Sequence, residues 1–255
     1  PETILISVMS VNNEVGTIQN IKAFAKTAHE NGIIFHTDAV QAIGALKMDV
    51  QDMEIDAMTM SAHKIYGPKG VGALYLKNGI RIENLINGGN QERGKRGGTI
   101  NVPGIAGFGK AIEIAVRDLS VNQQKLKAIR QYFLDKVEEN IPYVHLNGHP
   151  HQKIQGTVNL SFELIEGESI LMLLDLEGIA VSTGSACTSG SLEPSHVLKA
   201  MGLSNELAQG SIRFSFGKSI TKADIDYVVE KLTGVVEKLR AISPLTKAGR
   251  GKKGE

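Results

Sequence analysis

The stretch Ser61-Ala62-His63-Lys64 places a hydroxyl, an imidazole and an amine within four residues. It follows an apolar run, residues 57–60, and precedes a glycine-rich segment, residues 66–72. A lysine amine at the end of a strand can condense with an aldehyde cofactor, and a neighbouring hydroxyl and imidazole can hold the phosphate of that cofactor. The alternative is a solvated lysine that follows a strand, so the motif needs support from elsewhere in the chain.

An acidic residue, Asp38, stands where a second predicted strand, residues 33–37, runs into a loop. Ligands bind at this edge in open α/β sheets. A carboxylate there can keep the pyridine nitrogen of pyridoxal phosphate (PLP) protonated, so that the ring accepts electrons from a substrate carbon. Gln41 could hydrogen-bond the phenolic oxygen of the ring. The competing interpretation of Asp38 is a helix N-cap, and we interpret the nearby His36 as a packing residue.

The chain has one cysteine, Cys187, and therefore no internal disulfide. Such a chain suits a reducing compartment, and we predict a cytoplasmic protein. Small and hydroxyl-bearing residues flank Cys187 over residues 181–191, and this composition predicts a mobile surface loop. A thiol on such a loop could take a sulfur atom and deliver it elsewhere, provided that the thiolate is favoured locally. An incidental free thiol is the alternative.

With these residues in hand, the chain resembles the cysteine desulfurases, and most closely the NifS/IscS group of fold-type I PLP-dependent enzymes. The matching stretches follow the order of the family over nearly the whole chain. The long, Ser/Gly-rich segment around Cys187 is similar to the NifS/IscS group rather than to the short-loop group. The matching stretches are residues 11–16 (VNNEVG), 36–41 (HTDAVQ), 61–70 (SAHKIYGPKG), 92–99 (ERGKRGGT), 185–195 (SACTSGSLEPS) and 212–215 (IRFS).

The resemblance implies how the cofactor would be held. Lys64 would carry PLP covalently and move protons, and Asp38 would pair with the pyridine nitrogen. Gln41 would contact the phenolic oxygen. Ser61 and His63 would bind the phosphate, and His63 is also counted among the catalytic residues.

The resemblance also implies roles for four residues elsewhere in the chain. Thr99 would reach the phosphate of a partner subunit across a homodimer interface. Asn13 would lie near the cofactor and the substrate carboxylate, and Arg213 would grip that carboxylate, although a strand-edge charge is the plainer interpretation of Arg213. Cys187 would attack the sulfur of the substrate. No metal-ligand cluster is found, and only Cys187 could serve as a transient Fe–S ligand.

The implied reaction removes sulfur from L-cysteine, which leaves L-alanine and a persulfide on Cys187. The sulfur acceptor would be an Fe–S scaffold protein of the NifU/IscU kind or another acceptor. Two alternatives stay open at this point. One is another PLP reaction on the same fold, such as that of a selenocysteine lyase or an aminotransferase. The other is an inactive fragment that acts as a binding subunit.

Alternating strand and helix patterns indicate an α/β chain. The resemblance implies the PLP-dependent transferase fold type I, which is aspartate aminotransferase-like. We predict that residues 1–120 form the remainder of a large PLP-binding domain. Residues 121–245 are predicted to form a smaller C-terminal α+β domain with the mobile Cys187 loop, and residues 246–255 a disordered tail.

The chain begins at Pro1 directly with a strand, whereas members of the family carry a further N-terminal stretch. We therefore expect a piece of a longer or split protein, in which the sheet of the large domain is incomplete. We also expect the isolated chain to lack normal desulfurase activity.

The positions of the helices and strands follow from periodicity and from capping residues. The character of the chain is expected to change near residues 118–124, between two helices, and Gly104, Gly107 and Gly109 are expected to allow close packing of the first of them. Thr221 and Asp224 predict a capped helix start. The predicted strands are residues 3–11, 33–37, 57–61, 72–76, 157–162 and 210–216, and the predicted helices are residues 21–30, 102–119, 125–140, 167–176 and 221–239.

Composition argues against two classes of partner. The formal net charge is +1, only 5% of residues are aromatic and tryptophan is absent, so neither a basic patch nor a base-stacking platform for nucleic acid is indicated. No apolar run approaches the roughly 20 residues that span a bilayer. We therefore predict no nucleic-acid partner and no membrane association.

Overall fold

The computed structural model describes residues 2–183 and 193–244. The chain divides into two compact units. The first consists of Pro1–Asn12 and Ile18–Ser120, and the second of Asn13–Thr17 and Val121–Glu255. Five residues near the start of the chain therefore belong to the second unit. Cys187 and the predicted tail, residues 246–255, lie outside the described residues.

The first unit is built on an open four-stranded sheet in the order β1-β2-β3-β4. The strands β1, β2 and β3 are parallel, and β4 pairs with β3 in the antiparallel sense. The register places Met9 opposite Asp38 and Asp38 opposite Thr59, so the parallel strands end at one edge of the sheet. The strands are β1 (Leu5–Met9), β2 (Ile34–Asp38), β3 (Ala57–Ser61) and β4 (Gly72–Leu76).

One helix, α1 (Ile21–Glu30), crosses between β1 and β2. Asn20 caps its start by accepting a hydrogen bond from the Ala23 N–H, and buried residues on one face pack towards the sheet. Gly32, at a φ of 68°, follows its C-terminus and turns the chain into β2. A second helix, α2 (Val102–Arg117), ends the unit.

A buried carboxyl group, that of Asp56, joins the elements of the first unit. It accepts hydrogen bonds from the Phe35 N–H at 3.0 Å, from His29 of α1 at 2.7 Å and from Lys77 at 3.1 Å. Burial raises the pKa of this carboxyl, but the hydrogen bonds from Phe35, His29 and Lys77 outweigh that effect and hold the pKa below its ordinary value of 3.8.

Replacing Asp56 with alanine should lower the free energy of unfolding by about 2 kcal/mol, because the buried Phe35 N–H loses its acceptor. Since the folded state lowers the pKa of Asp56, its contribution is present above the ordinary pKa and is lost as the pH falls through the lowered one. Urea unfolding at about pH 7 and about pH 3 should therefore show a smaller difference between variant and wild type at the lower pH.

Asp52→Ala is the matched control, because Asp52 forms a solvent-exposed ion pair with Lys22. Exposed pairs contribute little, so we expect no measurable change in the urea midpoint. Equal destabilisation by the Asp52 and Asp56 variants would contradict the role given to Asp56.

The second unit is built on an antiparallel sheet in the order β5-β6-β8-β7. Every residue of the central strand β6 is buried. Arg213 lies in the middle of β8, opposite Asn159 of β6 and Ser182 of β7. The strands are β5 (Val144–Leu146), β6 (Thr157–Phe162), β7 (Ser182–Thr183) and β8 (Ser211–Ser215).

Long helices supply the apolar side chains that cover this sheet. The ring of Phe133 on α3 packs at a tilt against the ring of Phe214 on β8, with their centroids 4.9 Å apart, and Leu232 of α7 is fully buried in the same core. The helices of this unit are α3 (Leu119–Asn140), α4 (Gly167–Leu176), α5 (His196–Ala200), α6 (Asn205–Gln209) and α7 (Lys222–Ile242).

Most of the predicted elements are confirmed, several of them with identical bounds. The predicted cap is confirmed too, since Thr221 and Asp224 form a capping box at the start of α7. The predicted gap between two helices at residues 120–124 is wrong, because α3 already begins at Leu119, directly after α2. No glycine or proline stands between residues 118 and 124 to stop a helix there. The short elements β5, β7, α5 and α6 were not predicted.

Within the described ranges, no helix combines the length and the apolar character needed to cross a bilayer.

Candidate functional site

Lys64 lies in a 3₁₀ turn, Ala62–Ile65, that directly follows β3. Ala62 and Ile65 are buried and anchor the turn, whereas His63 and Lys64 point outwards and are exposed. The Ala62 N–H donates to the Val71 carbonyl at 3.0 Å, which ties the start of the turn to the glycine-rich segment. The lysine amine is therefore presented from a fixed backbone.

Helix α2 supports this turn through close contact with the glycine-rich segment. A Cβ on Gly104 would lie 2.5 Å from a Val71 methyl carbon, and a Cβ on Gly107 would lie 2.7 Å from the ring of Pro68. The predicted close packing is thus confirmed for Gly104 and Gly107 but is wrong for Gly109, which faces open space. Larger residues at the first two positions would push the helix away from the turn that carries Lys64.

Ser61 and His63 form a hydrogen-bonded pair at the start of this turn. The Ser61 hydroxyl lies 2.7 Å from Nδ1 of His63. The contact joins the last residue of β3 to the exposed imidazole. A hydroxyl and an imidazole held together in this way offer two adjacent hydrogen-bonding groups to an anionic ligand.

Asp38 is the last residue of β2, half-buried and opposite Thr59 of β3. Its Oδ1 accepts a hydrogen bond from the Val40 N–H at 2.8 Å. Among the described residues, Oδ2 has no hydrogen-bond partner. This is a turn contact and not a helix cap, because no helix begins between Asp38 and β3, a stretch that the structure describes in full, and Asp38 still keeps one oxygen for a ligand.

His36 lies on the same strand as Asp38 and has a partner of its own. Its Nδ1 is 2.7 Å from the Ser7 hydroxyl of β1. Burial lowers the pKa of the His36 imidazole, and the nearby Asp38 charge opposes that effect. Both observations agree with a packing residue.

The structure does not join Gln41 or Thr99 to these groups by any hydrogen bond within the described residues. Gln41 is half-buried in the turn that follows Asp38, where the Ala42 N–H donates to the Ala39 carbonyl. Thr99 is exposed and follows Gly98, whose φ is 95°.

The groups at this edge of the sheet fit PLP by their chemistry. Asp38 offers an acceptor for a protonated pyridine nitrogen, and Lys64 offers an amine for the aldehyde. The Ser61–His63 pair offers hydrogen-bond donors for the phosphate. The four residues leave neighbouring strands β2 and β3 at their carboxyl ends, where open α/β sheets bind ligands.

Two further predicted residues, Asn13 and Arg213, belong to the second unit and contact each other there. The Arg213 Nη1 donates to the Asn13 carbonyl at 2.9 Å. The Arg213 Nε is buried and has no hydrogen-bond partner among the described residues. An unpaired buried N–H on a guanidinium is costly, and a carboxylate is the natural partner for it.

The comparisons with known proteins agree with the sequence motifs. The model of the family described as "Aminotransferase class-V" matches residues 1–228. The chain belongs to the class-V aminotransferase family. A cysteine desulfurase IscS from Clostridium botulinum (strain Hall) is 54% identical over 246 residues, which is 96% of this chain and 62% of that protein. A cysteine desulfurase IscS from Dictyoglomus turgidum is 52% identical over 243 residues, or 95% of this chain and 62% of that protein.

A solved structure titled "NIFS-LIKE PROTEIN" superimposes with a TM-score of 0.85 at 38% identity, and covers 93% of this chain and 62% of its own. This member of the class-V aminotransferases therefore has the α/β fold of the NifS-like, fold-type I PLP-dependent enzymes. It spans 62% of the length of the two curated relatives.

Proposed function

We propose that this class-V aminotransferase chain belongs to a PLP-dependent cysteine desulfurase. In the proposed reaction, L-cysteine and the Cys187 thiol give L-alanine and a Cys187 persulfide. The carbon–sulfur bond of the substrate breaks, a sulfur–sulfur bond forms, and a proton takes the place of sulfur on the carbon. No external oxidant is needed, because the electrons of the broken carbon–sulfur bond stay with the carbon, which is reduced as the sulfur is oxidised to the persulfide level.

One observation carries this proposal. The Lys64 amine, the Ser61–His63 pair and the Asp38 carboxyl group all leave the carboxyl edge of β2 and β3, in a chain that is 54% identical to a cysteine desulfurase. PLP bound there would supply an electron sink for the substrate carbon.

The residues of the first unit would hold the cofactor and move protons. Lys64 would bind the cofactor aldehyde and afterwards transfer protons at the substrate carbon. Asp38 would accept a hydrogen bond from the pyridine nitrogen through its unpaired Oδ2. Ser61 and His63 would bind the phosphate, and Gln41 the phenolic oxygen.

The residues of the second unit would bind the substrate and receive its sulfur. The Arg213 guanidinium would hold the α-carboxylate, which would pair its buried Nε. Asn13, whose carbonyl orients Arg213, would lie near the same carboxylate. Cys187 would act as the nucleophile.

The partners of the reaction follow from the same proposal. The persulfide sulfur would pass to an Fe–S scaffold protein or another acceptor. Thr99 would contribute to a phosphate site across a homodimer interface, and a reducing cytoplasm would keep Cys187 in its thiol form. The first unit would act as the cofactor-binding domain and the second as the substrate and sulfur-transfer domain.

The test is a product balance on the protein as its host makes it, loaded with PLP. With L-cysteine and a reducing thiol, L-alanine and sulfide should form in equal amounts. Amino-group transfer to a keto acid without sulfide would show an aminotransferase instead. Release of alanine from selenocysteine alone would show a selenocysteine lyase, and a protein that binds no PLP would favour a binding subunit.

Asp38→Asn should lower kcat by about 100-fold, which corresponds to about 2.7 kcal/mol of activation free energy. Asparagine keeps the size of the side chain but cannot hold the pyridine nitrogen in its protonated form. The measurement is L-alanine production at saturating L-cysteine, together with the cofactor absorbance to show that PLP is still bound.

Asp49→Asn is the control for this change. The Asp49 Oδ1 accepts backbone hydrogen bonds from Gln51 and Asp52, much as Asp38 does from Val40, but Asp49 lies outside the strand edge. Its kcat should stay within about twofold of wild type. An equal loss in both variants would indicate a backbone effect and would exclude the cofactor role of Asp38.

A further inference from the structure

Two residues of the quoted motifs have no role in the proposed reaction, yet they contact each other. Glu14 stands in the VNNEVG stretch and Ser195 ends the SACTSGSLEPS stretch, 181 positions away in sequence. The Ser195 hydroxyl donates to Oε2 of Glu14 at 2.5 Å. Both residues are buried, with 5% and 3% of their surface exposed, so this hydrogen bond is shielded from water.

The hydroxyl of Ser195 has all its hydrogen-bonding capacity engaged. It caps α5 by accepting from the Val197 N–H at 3.2 Å and from the Leu198 N–H at 3.3 Å. Its only proton therefore goes to Glu14. The direction of the hydrogen bond is fixed, and it depends on an acceptor oxygen at position 14.

The segment that carries Glu14 is part of the second unit and contacts its sheet and its short helices. The Glu14 carbonyl accepts from Nδ2 of the fully buried Asn159 at 3.3 Å. Val15 packs in a small apolar cluster with Leu198 of α5 and Ala208 of α6. The residue just before Glu14 is Asn13, whose carbonyl receives the Arg213 Nη1.

We propose that Glu14 is a positioning residue for substrate recognition. Its side chain fixes the Asn13–Glu14 backbone against the start of α5, and the Asn13 carbonyl in turn holds the Arg213 guanidinium in the orientation that receives the α-carboxylate of an amino acid. The inference rests on the proposed function, because it requires that Arg213 bind the substrate carboxylate.

We expect the loss of this hydrogen bond to weaken the binding only of ligands that carry a carboxylate. Without the Glu14–Ser195 hydrogen bond, the Asn13 carbonyl shifts and Arg213 loses the contact that orients it. A misplacement of the order of 1 Å is sufficient to weaken a bidentate contact strongly. A ligand that has no carboxylate does not use Arg213 and is unaffected.

The experiment compares L-cysteine with cysteamine, which has the same amine and thiol but no carboxylate. Apparent dissociation constants are measured by titrating the cofactor absorbance of the PLP-loaded protein as its host makes it. Glu14→Ala and Ser195→Ala should each weaken L-cysteine binding by about tenfold and leave cysteamine binding unchanged. Glu14→Gln, which keeps an acceptor oxygen, should stay within about threefold of wild type for both ligands.

Ser204→Ala is the matched control, because Ser204 caps α6, another five-residue helix, by accepting from the Leu207 N–H. It should change neither affinity by more than about twofold. The double variant Glu14→Ala/Ser195→Ala should lose no more affinity than either single variant, since both remove the same hydrogen bond. Circular dichroism at the titration temperature identifies any variant that has not folded. If Glu14→Ala does not fold, Glu14→Met, which fills the same space without an acceptor oxygen, takes its place in the cycle with Ser195→Ala.

The outcomes separate this inference from the proposed function. Equal weakening of L-cysteine and cysteamine in the Glu14 and Ser195 variants would mean a purely structural contact and would overturn the inference. The inference would also be overturned if the Glu14 and Ser195 variants bound L-cysteine normally while Arg213→Ala lost most of its affinity for L-cysteine. That result would leave the proposed function intact. A wild-type protein that does not prefer L-cysteine to cysteamine, or an Arg213→Ala variant without effect, would overturn the assignment of Arg213 on which both depend.

Discussion

Replacing Lys64 with alanine is expected to abolish covalent attachment of the cofactor and to lower the turnover of L-cysteine by at least about 10³-fold. The amine serves twice in the proposed reaction, as the bond to the aldehyde and as the group that moves protons. It stands in a 3₁₀ turn with two buried anchors, which fixes its backbone relative to β3. Borohydride reduction followed by peptide mass mapping should find the pyridoxyl group on Lys64 in the wild-type protein and none in the variant.

Lys69→Ala provides the comparison, because Lys69 is an exposed lysine in the same glycine-rich stretch. It should keep the cofactor label on Lys64 and retain turnover within about twofold. A label on Lys69 or on any other lysine would contradict the assignment of Lys64. A wild-type protein that takes no label would contradict the use of PLP altogether.

The sequence predicts the ends of β2 and β3 well because their determinants are local. The apolar runs that become β2 and β3 end at Asp38 and Ser61, and the periodicity marks both ends to within one residue. A glycine-rich segment that follows a strand indicates a tight turn whatever the rest of the chain does. The contact between Ser61 and His63 spans only two positions, so it needs no knowledge of the tertiary fold.

The elements that escaped prediction are those whose stability comes from distant partners. Strand β7 has two residues, and its only regular feature is its pairing with β8. Its local sequence, rich in serine and glycine, indicates a loop. The start of helix α3 was missed as well, since residues 120–124 lack strong helix signals and yet are helical.

The sequence identifies the residues proposed to bind the substrate, but it does not show how they lie relative to one another. Arg213 and Asn13 are 200 positions apart, and no periodicity relates them. Nothing local assigns the Asn13–Thr17 segment to the second unit, because it lies between β1 and α1 of the first. The contact between Glu14 and Ser195 has the same origin, since its two residues meet only when the segment is built into the second unit.

Replacing Cys187 with alanine is expected to abolish persulfide formation and to leave the cofactor absorbance unchanged. Cys187 is the single cysteine of the chain, so no other thiol in it can replace the nucleophile. Cys187→Ser should fail in the same way, because a serine hydroxyl is not ionised near neutral pH and is a poor nucleophile towards sulfur. Mass spectrometry of the protein after reaction with L-cysteine should show one added sulfur atom in the wild type and none in either variant.

The contrast between Lys64 and Cys187 variants is what separates a desulfurase from the other reactions of the fold. Loss of Lys64 removes the cofactor bond and therefore every PLP reaction, whereas loss of Cys187 removes only the acceptor of the sulfur. An aminotransferase would keep its turnover in Cys187→Ala. The neighbouring Thr188→Ala should retain the added sulfur, and a persulfide that persists in Cys187→Ala would place the nucleophile outside this chain.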